Sequence, residues 1–430
     1  MRARPLVLAL PVATLAASLA GALAACGSAG RDPVVPPVDT TSVPAPARLA
    51  ALGRGVVTTR YTAEVTTRAG YAYTSTWGQR PTPGNAVFVW DVRGAAPVLV
   101  DSLLLDGVTT TGDVQVSDDG ALLAVATEPT GSLALYTLAD PAHPRPLVRY
   151  TSPAIANGVH TAELARVNGV LHAFCSIDPR AGARARLVVL DLSTPGAPRE
   201  VLVREMGLPF VHDVFVRDGI LFTANWNDGL VVWDLGGGGR GGTVANPVEL
   251  GRLRTVASSP ASGPSVHNVW WFHDPSTGAR RYAFVGEEVA DGTTVGASSA
   301  GDVHVVDVSD LTQPREVAVY AVPGAGTHNF VVDEARGILY AAYYNGGVRA
   351  LDVRGDLSAC PDAQRRGDGR CDLRRMGREI GVALDGTPTT PDPASGQQLP
   401  PYVWGVALAG DRLYASDMLG GLHVLGALTR

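Results

Sequence analysis

The chain has 430 residues, 46% of them hydrophobic, with 50 glycines, 31 prolines and a net charge of −6. All 35 basic residues are arginines, and they form no basic stripe interleaved with aromatic residues, which argues against a nucleic-acid partner. The abundant Gly and Pro residues predict many tight turns between short elements.

The first predicted element is an export signal at residues 1–25. Arg2 and Arg4 precede an apolar stretch that ends in small residues before Cys26, which is typical of a secretory leader rather than a membrane span. The Leu23-Ala24-Ala25-Cys26 sequence resembles a bacterial lipobox, and the resemblance implies that Cys26 is lipidated, with acyl chains such as palmitate, and becomes the mature N-terminus. An ordinary signal peptide cut near Ala25 is the alternative.

Residues 26–47 are rich in Pro, Ser, Thr and Val and predict a flexible, partly extended tether. Each buried CH₂ of an acyl chain contributes roughly 0.8 kcal/mol, so two or three chains would hold the protein on a membrane. The expected location is therefore exported and lipid-anchored, at the outer membrane or cell surface, with a periplasm-facing position also open.

Seven short apolar runs follow, most of them ending in an acid or a turn residue. They recur roughly every 45 residues, with longer steps before the fifth and the last run, and this period is typical of β-propeller blades. The runs are Val87–Asp91, Leu133–Thr137, Leu187–Asp191, Leu230–Asp234, Val303–Asp307, Val348–Asp352 and Leu422–Gly426.

The predicted fold class is all-β, a seven-bladed β-propeller over residues 48–430. The last unit supplies three strands before the chain stops, whereas the strand-like segment Leu49–Thr58 precedes the first blade. We therefore predict that this N-terminal strand closes the last blade, because joining the two chain ends removes the free edges of the ring.

Several of the apolar runs lead into a Ser- and Pro-containing turn. Asp307-Val308-Ser309-Asp310-Leu311-Thr312-Gln313-Pro314 is one example, and Asp191 to Pro198 is another. The pattern resembles the LVIVD-repeat family of exported bacterial propellers. The resemblance implies the fold and export, and it implies little about activity.

The cysteines beyond the leader fall into two groups. Cys360 and Cys371 lie in a polar insertion near residues 355–376, where an oxidising compartment favours a disulfide and a two-cysteine metal site is the rival. Cys175 lies in an apolar strand and is predicted to be a small buried side chain.

A histidine begins the innermost strand of four consecutive predicted blades. Because innermost strands line the central channel, the four imidazoles are expected to face one another at one rim. Alignment of the other three blades places Tyr61, Gly112 and Trp404 at the equivalent position. The four histidines are His160, His212, His267 and His328.

Neutral imidazole is the commonest protein ligand for transition metals, so the ring is a candidate site for one Fe, Cu or Zn ion. The placement is similar to that of the iron-binding histidines of carotenoid oxygenases and the axial histidines of selenium-binding-type propellers. Glu163 and the pair Glu287-Glu288 are candidate supporting carboxylates. The alternative is structural, with each ring donating to a carbonyl of a neighbouring blade. His304, on an outer strand, is expected to be packed or half-exposed.

Two functions remain open on these grounds. One is a membrane-anchored, extracytoplasmic binding or scaffolding module with a protein or small-molecule partner at the propeller rim. The other is a metalloprotein or oxidoreductase using the four-histidine site.

Overall fold

The structure is a computed structural model, and it describes residues 43–78, 82–180, 184–207, 210–258, 263–289, 300–386, 390–392 and 395–429. The predicted leader, Cys26 and the tether up to residue 42 lie outside the described residues.

The strands form seven sheets, each with four strands A to D from the channel outward, and two of the sheets gain a fifth strand. Strand A of every blade contacts strand A of the next, and strand A of the last blade contacts that of the first, so the ring is closed. The predicted seven-bladed β-propeller is confirmed.

The first three blades each use four consecutive strands. Blade one contains Tyr61–Arg68, Tyr71–Trp77, Ala86–Asp91 and Val98–Leu104. Blade two contains Val114–Val116, Leu122–Thr127, Ser132–Thr137 and Arg145–Tyr150. Blade three contains Val159–Val167, Val170–Ile177, Arg186–Asp191 and Arg199–Glu205.

The next two blades repeat the pattern. Blade four contains Asp213–Arg217, Ile220–Ala224, Leu230–Asp234 and Val248–Leu253. Blade five contains Val266–Phe272, Tyr282–Glu287, Val303–Asp307 and Arg315–Tyr320.

The last two blades recruit distant parts of the chain. Blade six contains Phe330–Asp333, Ile338–Ala342, Val348–Asp352 and Glu379–Ala383. Blade seven contains Val403–Ala409, Arg412–Asp417 and Gly421–Gly426, with Ala51–Val56 as its strand D. A short hairpin of Thr390–Pro391 and Gln398–Leu399 and a single 3₁₀ turn at Asp362–Gln364 complete the described elements.

Burial follows from the stacking of blades. Strands B and C have neighbours on both faces, so their residues are apolar without alternation, and all six residues of Leu122–Thr127 are buried. Strand D lies at the outer edge, and most of Val98–Leu104 is exposed. The apolar clusters accordingly lie between consecutive blades: Val87 and Val89 of blade one pack with Leu123 and Val125 of blade two.

The ring closes as the sequence predicts. Ala51–Val56 pairs antiparallel with Gly421–Gly426, with Gly53 opposite Val424. Gly53 is required there, because a Cβ atom would lie 2.3 Å from the carbonyl oxygen of Ala95 in the neighbouring blade.

Two blades carry a fifth strand that runs parallel to strand D. Ala47–Arg48 pairs with Glu379–Ala383 in blade six, so Ala47, the last residue assigned to the tether, belongs to a strand. Cys371–Asp372 pairs with Arg315–Tyr320 in blade five.

The disulfide prediction is confirmed, since Cys360 and Cys371 are bonded within the insertion that joins strands C and D of blade six. Cys175 is free and buried, as expected. The described residues contain no helix with the length and apolarity needed to cross a membrane.

Candidate functional site

Strand A begins with an irregularity that turns one side chain toward the channel mouth. In blades three, five and seven the pairing with strand B shifts across one residue, which is His160, His267 or Trp404. A β-bulge of this kind re-aims the bulged side chain. In blades four and six the N–H of His212 and of His328 donates to the last residue of strand B, which marks the same position.

The equivalent residue in blade one is Ala63, not Tyr61 as the sequence alignment suggested. The backbone N–H of Glu64 donates to Ser75 Oγ at 2.9 Å, and that of Gly405 donates to Ser416 Oγ at 2.9 Å. Glu64 therefore corresponds to Gly405, and the residue before it corresponds to Trp404. The bulge in blade one is one residue wider, and the spacing of apolar residues does not reveal it.

All four predicted histidines line one cavity of about 210 Å³ at the mouth of the channel. Nε2 of His160 lies 2.8 Å from Nε2 of His212. The ring centres of His212 and His267 are 4.0 Å apart, and those of His267 and His328 are 4.2 Å apart. The four imidazoles thus form one continuous row of contacts rather than four separate wall positions.

A carboxylate completes part of this row. Oε2 of Glu288 lies 3.6 Å from Nε2 of His267 and 4.0 Å from Nε2 of His212. These three residues offer ligand atoms that all lie within 4.8 Å of one another. The Tyr344 hydroxyl donates to the other oxygen of Glu288 and fixes the orientation of the carboxylate.

His160 belongs to a second group with Glu128 and Asp178. Its Nδ1 lies 3.3 Å from Glu128 Oε1 and 3.7 Å from Asp178 Oδ1, and Arg180 lies near both carboxylates. Burial opposes a charge on His160, but the nearby carboxylates outweigh it and raise its pKa to about 10. His160 is therefore the donor in its contact with His212.

The other three histidines are held neutral. Burial, with the neighbouring imidazoles, lowers the pKa of His212, His267 and His328 well below the usual value. His267 is 1% exposed, and neither of its ring nitrogens makes a hydrogen bond to a described residue. Nδ1 of His328 lies 2.8 Å from the carbonyl oxygen of Trp404, which assigns the proton to Nδ1 and leaves the Nε2 lone pair for the cavity.

A carboxyl-rich layer lies next to the histidines along the inner strands. Glu64, Asp113 and Asp213 directly follow the ring position in blades one, two and four, and Glu163 lies two residues further in blade three. Burial raises the pKa of Glu64 and Glu163 to about 7 and that of Asp113 to about 6, and raises that of Asp213 strongly.

The three predicted supporting carboxylates differ in whether they reach the histidines. Glu288 reaches the histidines, whereas Glu163 interacts with Gln115 in the carboxyl layer. The side chain of Glu287 contacts His304 in the body of blade five.

Sequence reasoning missed Glu128 and Asp178, although a signal exists. Glu128, Asp178 and Glu288 each directly follow strand B of their blade. Because strand B ends at the rim where strand A begins, an acidic residue at that position lies beside the histidines.

Residues 297–322 match the LVIVD repeat. The matched segment contains strands C and D of blade five, and the same four-stranded unit recurs around the ring. The chain is a seven-bladed β-propeller with one segment that matches the LVIVD repeat. The resemblance predicted from the apolar runs is thereby confirmed at the level of this repeat and of the fold. A search of curated proteins finds no match to this chain.

Proposed function

We propose that this propeller binds one first-row transition metal ion at the channel mouth through His212, His267 and Glu288. The observation that carries the proposal is His267, a buried neutral imidazole with two unpartnered nitrogens beside a second imidazole and a carboxylate. A buried polar group without a partner costs about 1–3 kcal/mol, and a metal ion would supply the missing partner.

The distances support a single ion. Two ligand atoms bound to one zinc-sized ion lie roughly 3–3.5 Å apart, because each bond is about 2.0–2.2 Å long. The 3.6 Å and 4.0 Å separations of Glu288 from the two imidazoles need only small side-chain movements to reach that range. Metal binding at Nε2 of His212 requires His160 to release its hydrogen bond to that atom, and His160 can become a further ligand only after losing its proton.

Two imidazoles and one carboxylate leave coordination positions open, an arrangement used by zinc hydrolases and by non-haem iron enzymes. The open side would face the cavity, whose walls include Trp77 and Trp404. This arrangement supports the metalloprotein hypothesis. The structural alternative accounts for His328, which contacts the carbonyl of Trp404, and for His212, which interacts with the backbone of His267, but it leaves both ring nitrogens of His267 without a hydrogen bond.

The test is elemental analysis of the full-length protein, extracted in detergent and exposed in turn to Fe(II), Cu(II) and Zn(II). We expect about one equivalent of metal in the parent and less than a tenth of that in the variant His212→Ala, His267→Ala. The matched control is His143→Ala, His172→Ala, which removes two histidines outside the cavity and should keep the metal. A parent that takes up none of the three ions overturns the proposal.

We also propose that the propeller is exported and held on a membrane through Cys26, with its rim free for a protein or small-molecule partner. The support is the leader and the lipobox-like sequence at Leu23–Cys26. Cys26→Ser should move the protein from the membrane fraction to the soluble fraction, whereas Cys175→Ser should not. A Cys26→Ser protein that stays on the membrane contradicts this anchor.

A further inference from the structure

A second buried group of charges lies directly behind the metal-binding carboxylate. Glu287 ends strand B of blade five, His304 lies on strand C and Glu316 lies on strand D. We call these residues, with Arg370, the blade-five cluster. Nδ1 of His304 is 2.6 Å from Glu316 Oε1, and its Nε2 is 3.5 Å from Glu287 Oε1.

Arg370 reaches this cluster from another blade. It lies in the insertion of blade six, next to Cys371, whose short strand pairs with strand D of blade five. Its guanidinium donates to Glu316 and to Asp368, and 9% of the residue is exposed. The disulfide and the parallel strand together place this arginine against blade five.

The contacts of Glu287 fix the backbone that carries Glu288. The hydroxyl and N–H of Ser258 donate to Glu287 Oε2 at 2.6 Å and 2.8 Å, and the hydroxyl of Thr255 donates to Oε1. The next N–H, that of Glu288, donates to the carbonyl of Ser265 at 2.9 Å. The side chain of Glu287 thus anchors one side of the chain while the side chain of Glu288 faces the histidines.

The charges in the cluster balance as two carboxylates, one imidazolium and one guanidinium. Removal of Arg370 leaves two carboxylates sharing the one positive charge of His304, in a place where unpaired charge is costly. His304 would then be drawn toward Glu316, and its contact with Glu287 would weaken.

We propose that Arg370 is a positioning residue for Glu288, acting through Glu316, His304 and Glu287. The disulfide-bonded insertion of blade six then sets the metal affinity of a site to which it contributes no ligand. This inference rests on the metal site proposed above. Partners that orient metal ligands without touching the metal typically contribute 10- to 100-fold in affinity.

The test compares Zn(II) affinity, measured by competition with a chromophoric chelator, in Arg370→Met and Arg349→Met. Arg349 is a matched control because it also forms a nearly buried ion pair, 2.8 Å from Glu379 in blade six, and none of its described contacts is with the blade-five cluster. We expect affinity to fall about 10-fold in Arg370→Met and less than twofold in Arg349→Met. Cys360→Ser, Cys371→Ser should weaken binding in the same direction, and Arg370→Lys should restore most of it.

The outcomes separate the two proposals. A parent that binds no metal ends the proposed function. A parent that binds metal while Arg370→Met and the double cysteine variant bind it equally well overturns only the positioning role. Thermal unfolding reports whether each variant folds. If Arg370→Met does not fold, Arg370→Gln is compared with Arg349→Gln, and an Arg370→Gln affinity equal to that of the parent overturns the inference.

Discussion

Glu287 and Glu288 are neighbours in sequence, yet their side chains enter two different groups of buried histidines and carboxylates. On one side, the blade-five cluster pairs every charge: His304 lies between two carboxylates, and Arg370 compensates the second. On the other side, in the row of His212, His267 and Glu288, both ring nitrogens of His267 lack a hydrogen bond. His304 lacks one only at Nε2, which lies 3.5 Å from Glu287.

The comparison distinguishes a structural histidine from a candidate ligand by their partners rather than by their burial. Both His304 and His267 are almost completely buried. Burial alone lowers the pKa of a histidine, and it does so at His267, but the carboxylates around His304 reverse the effect and raise its pKa to about 10. A charged imidazolium carries a proton on both nitrogens and cannot bind a metal, whereas a neutral imidazole has one lone pair that can.

The largest expected change in the free energy of unfolding comes from removing a charge of the blade-five cluster. His304→Leu should lower the free energy of unfolding of the metal-free protein by about 3–5 kcal/mol, because it leaves the negative charge of Glu287 without a cation in the interior. His267→Leu should change it by less than about 1 kcal/mol, because little polar interaction is lost. Urea unfolding measures both. Equal losses would mean that His267 has structural partners and is not a free ligand.

The second-largest expected effect is stabilisation of the folded protein by added metal. Zn(II) at a hundred times its Kd should raise the free energy of unfolding of the parent by about 2.7 kcal/mol, since the ion binds the folded state alone. Glu288→Gln should lose this increment, and His143→Ala should keep it. An increment that survives in Glu288→Gln would place the ion elsewhere.

The stability that the blade-five cluster contributes should also depend on pH in a defined direction. The pKa of His304 is raised, so its stabilisation is complete below the unfolded value near 6.5 and is lost as pH rises through about 10. The pKa of Glu287 is lowered to about 2 despite its burial, because His304, Ser258 and Thr255 favour the carboxylate. The ionised Glu287 therefore stabilises the folded protein above about pH 4.5, and this contribution is lost as pH falls through about 2.

Unfolding curves of parent and His304→Leu across pH 6–11 check this prediction. Asp302 also faces His304 closely enough to interact with it, in addition to Glu287, Glu316 and Arg370. Asp302 is unchanged in the variant. The difference between the two proteins should shrink between pH 6.5 and 10. A difference that stays constant through pH 10 would show that His304 is not charged in the folded protein.

The smallest effect concerns carboxyls that have neither a cation nor a metal. Burial raises the pKa of Glu163 to about 7, so ionisation of this group at higher pH opposes folding. Glu163→Gln should raise the free energy of unfolding by about 1 kcal/mol at pH 8, because loss of the present contact with Gln115 offsets most of the roughly 3 kcal/mol that the pKa shift represents. The gain should be lost as pH falls toward 4.5. Gln115→Glu, which adds a carboxyl beside Glu163, should have the opposite sign.

Most of the fold could be predicted from sequence because it depends on local pattern. Apolar runs such as Leu187–Asp191 became strands C of successive blades, and the missing strand of blade seven pointed to Leu49–Thr58, which contains the observed Ala51–Val56. The disulfide followed from two cysteines in one polar insertion.

The site could be predicted only in part. The four histidines share a strand position, so their meeting at one cavity follows from the repeat itself. Glu128 and Asp178 were missed because their shared position directly after strand B carries an acid in three of the seven blades, which is a weaker signal than the repeated histidine. Tyr61 was misplaced because the width of a bulge depends on hydrogen bonds, which apolar spacing does not encode.

Closure of the ring by Ala51–Val56 also has a consequence for how the protein is made. The partner of this early segment is Gly421–Gly426, so a strand synthesised early waits for one of the last. Contacts between such distant parts of a chain form slowly. An exported chain would therefore cross its membrane with an open ring and with this early strand unpaired, and folding would finish only after nearly the whole polypeptide had been delivered.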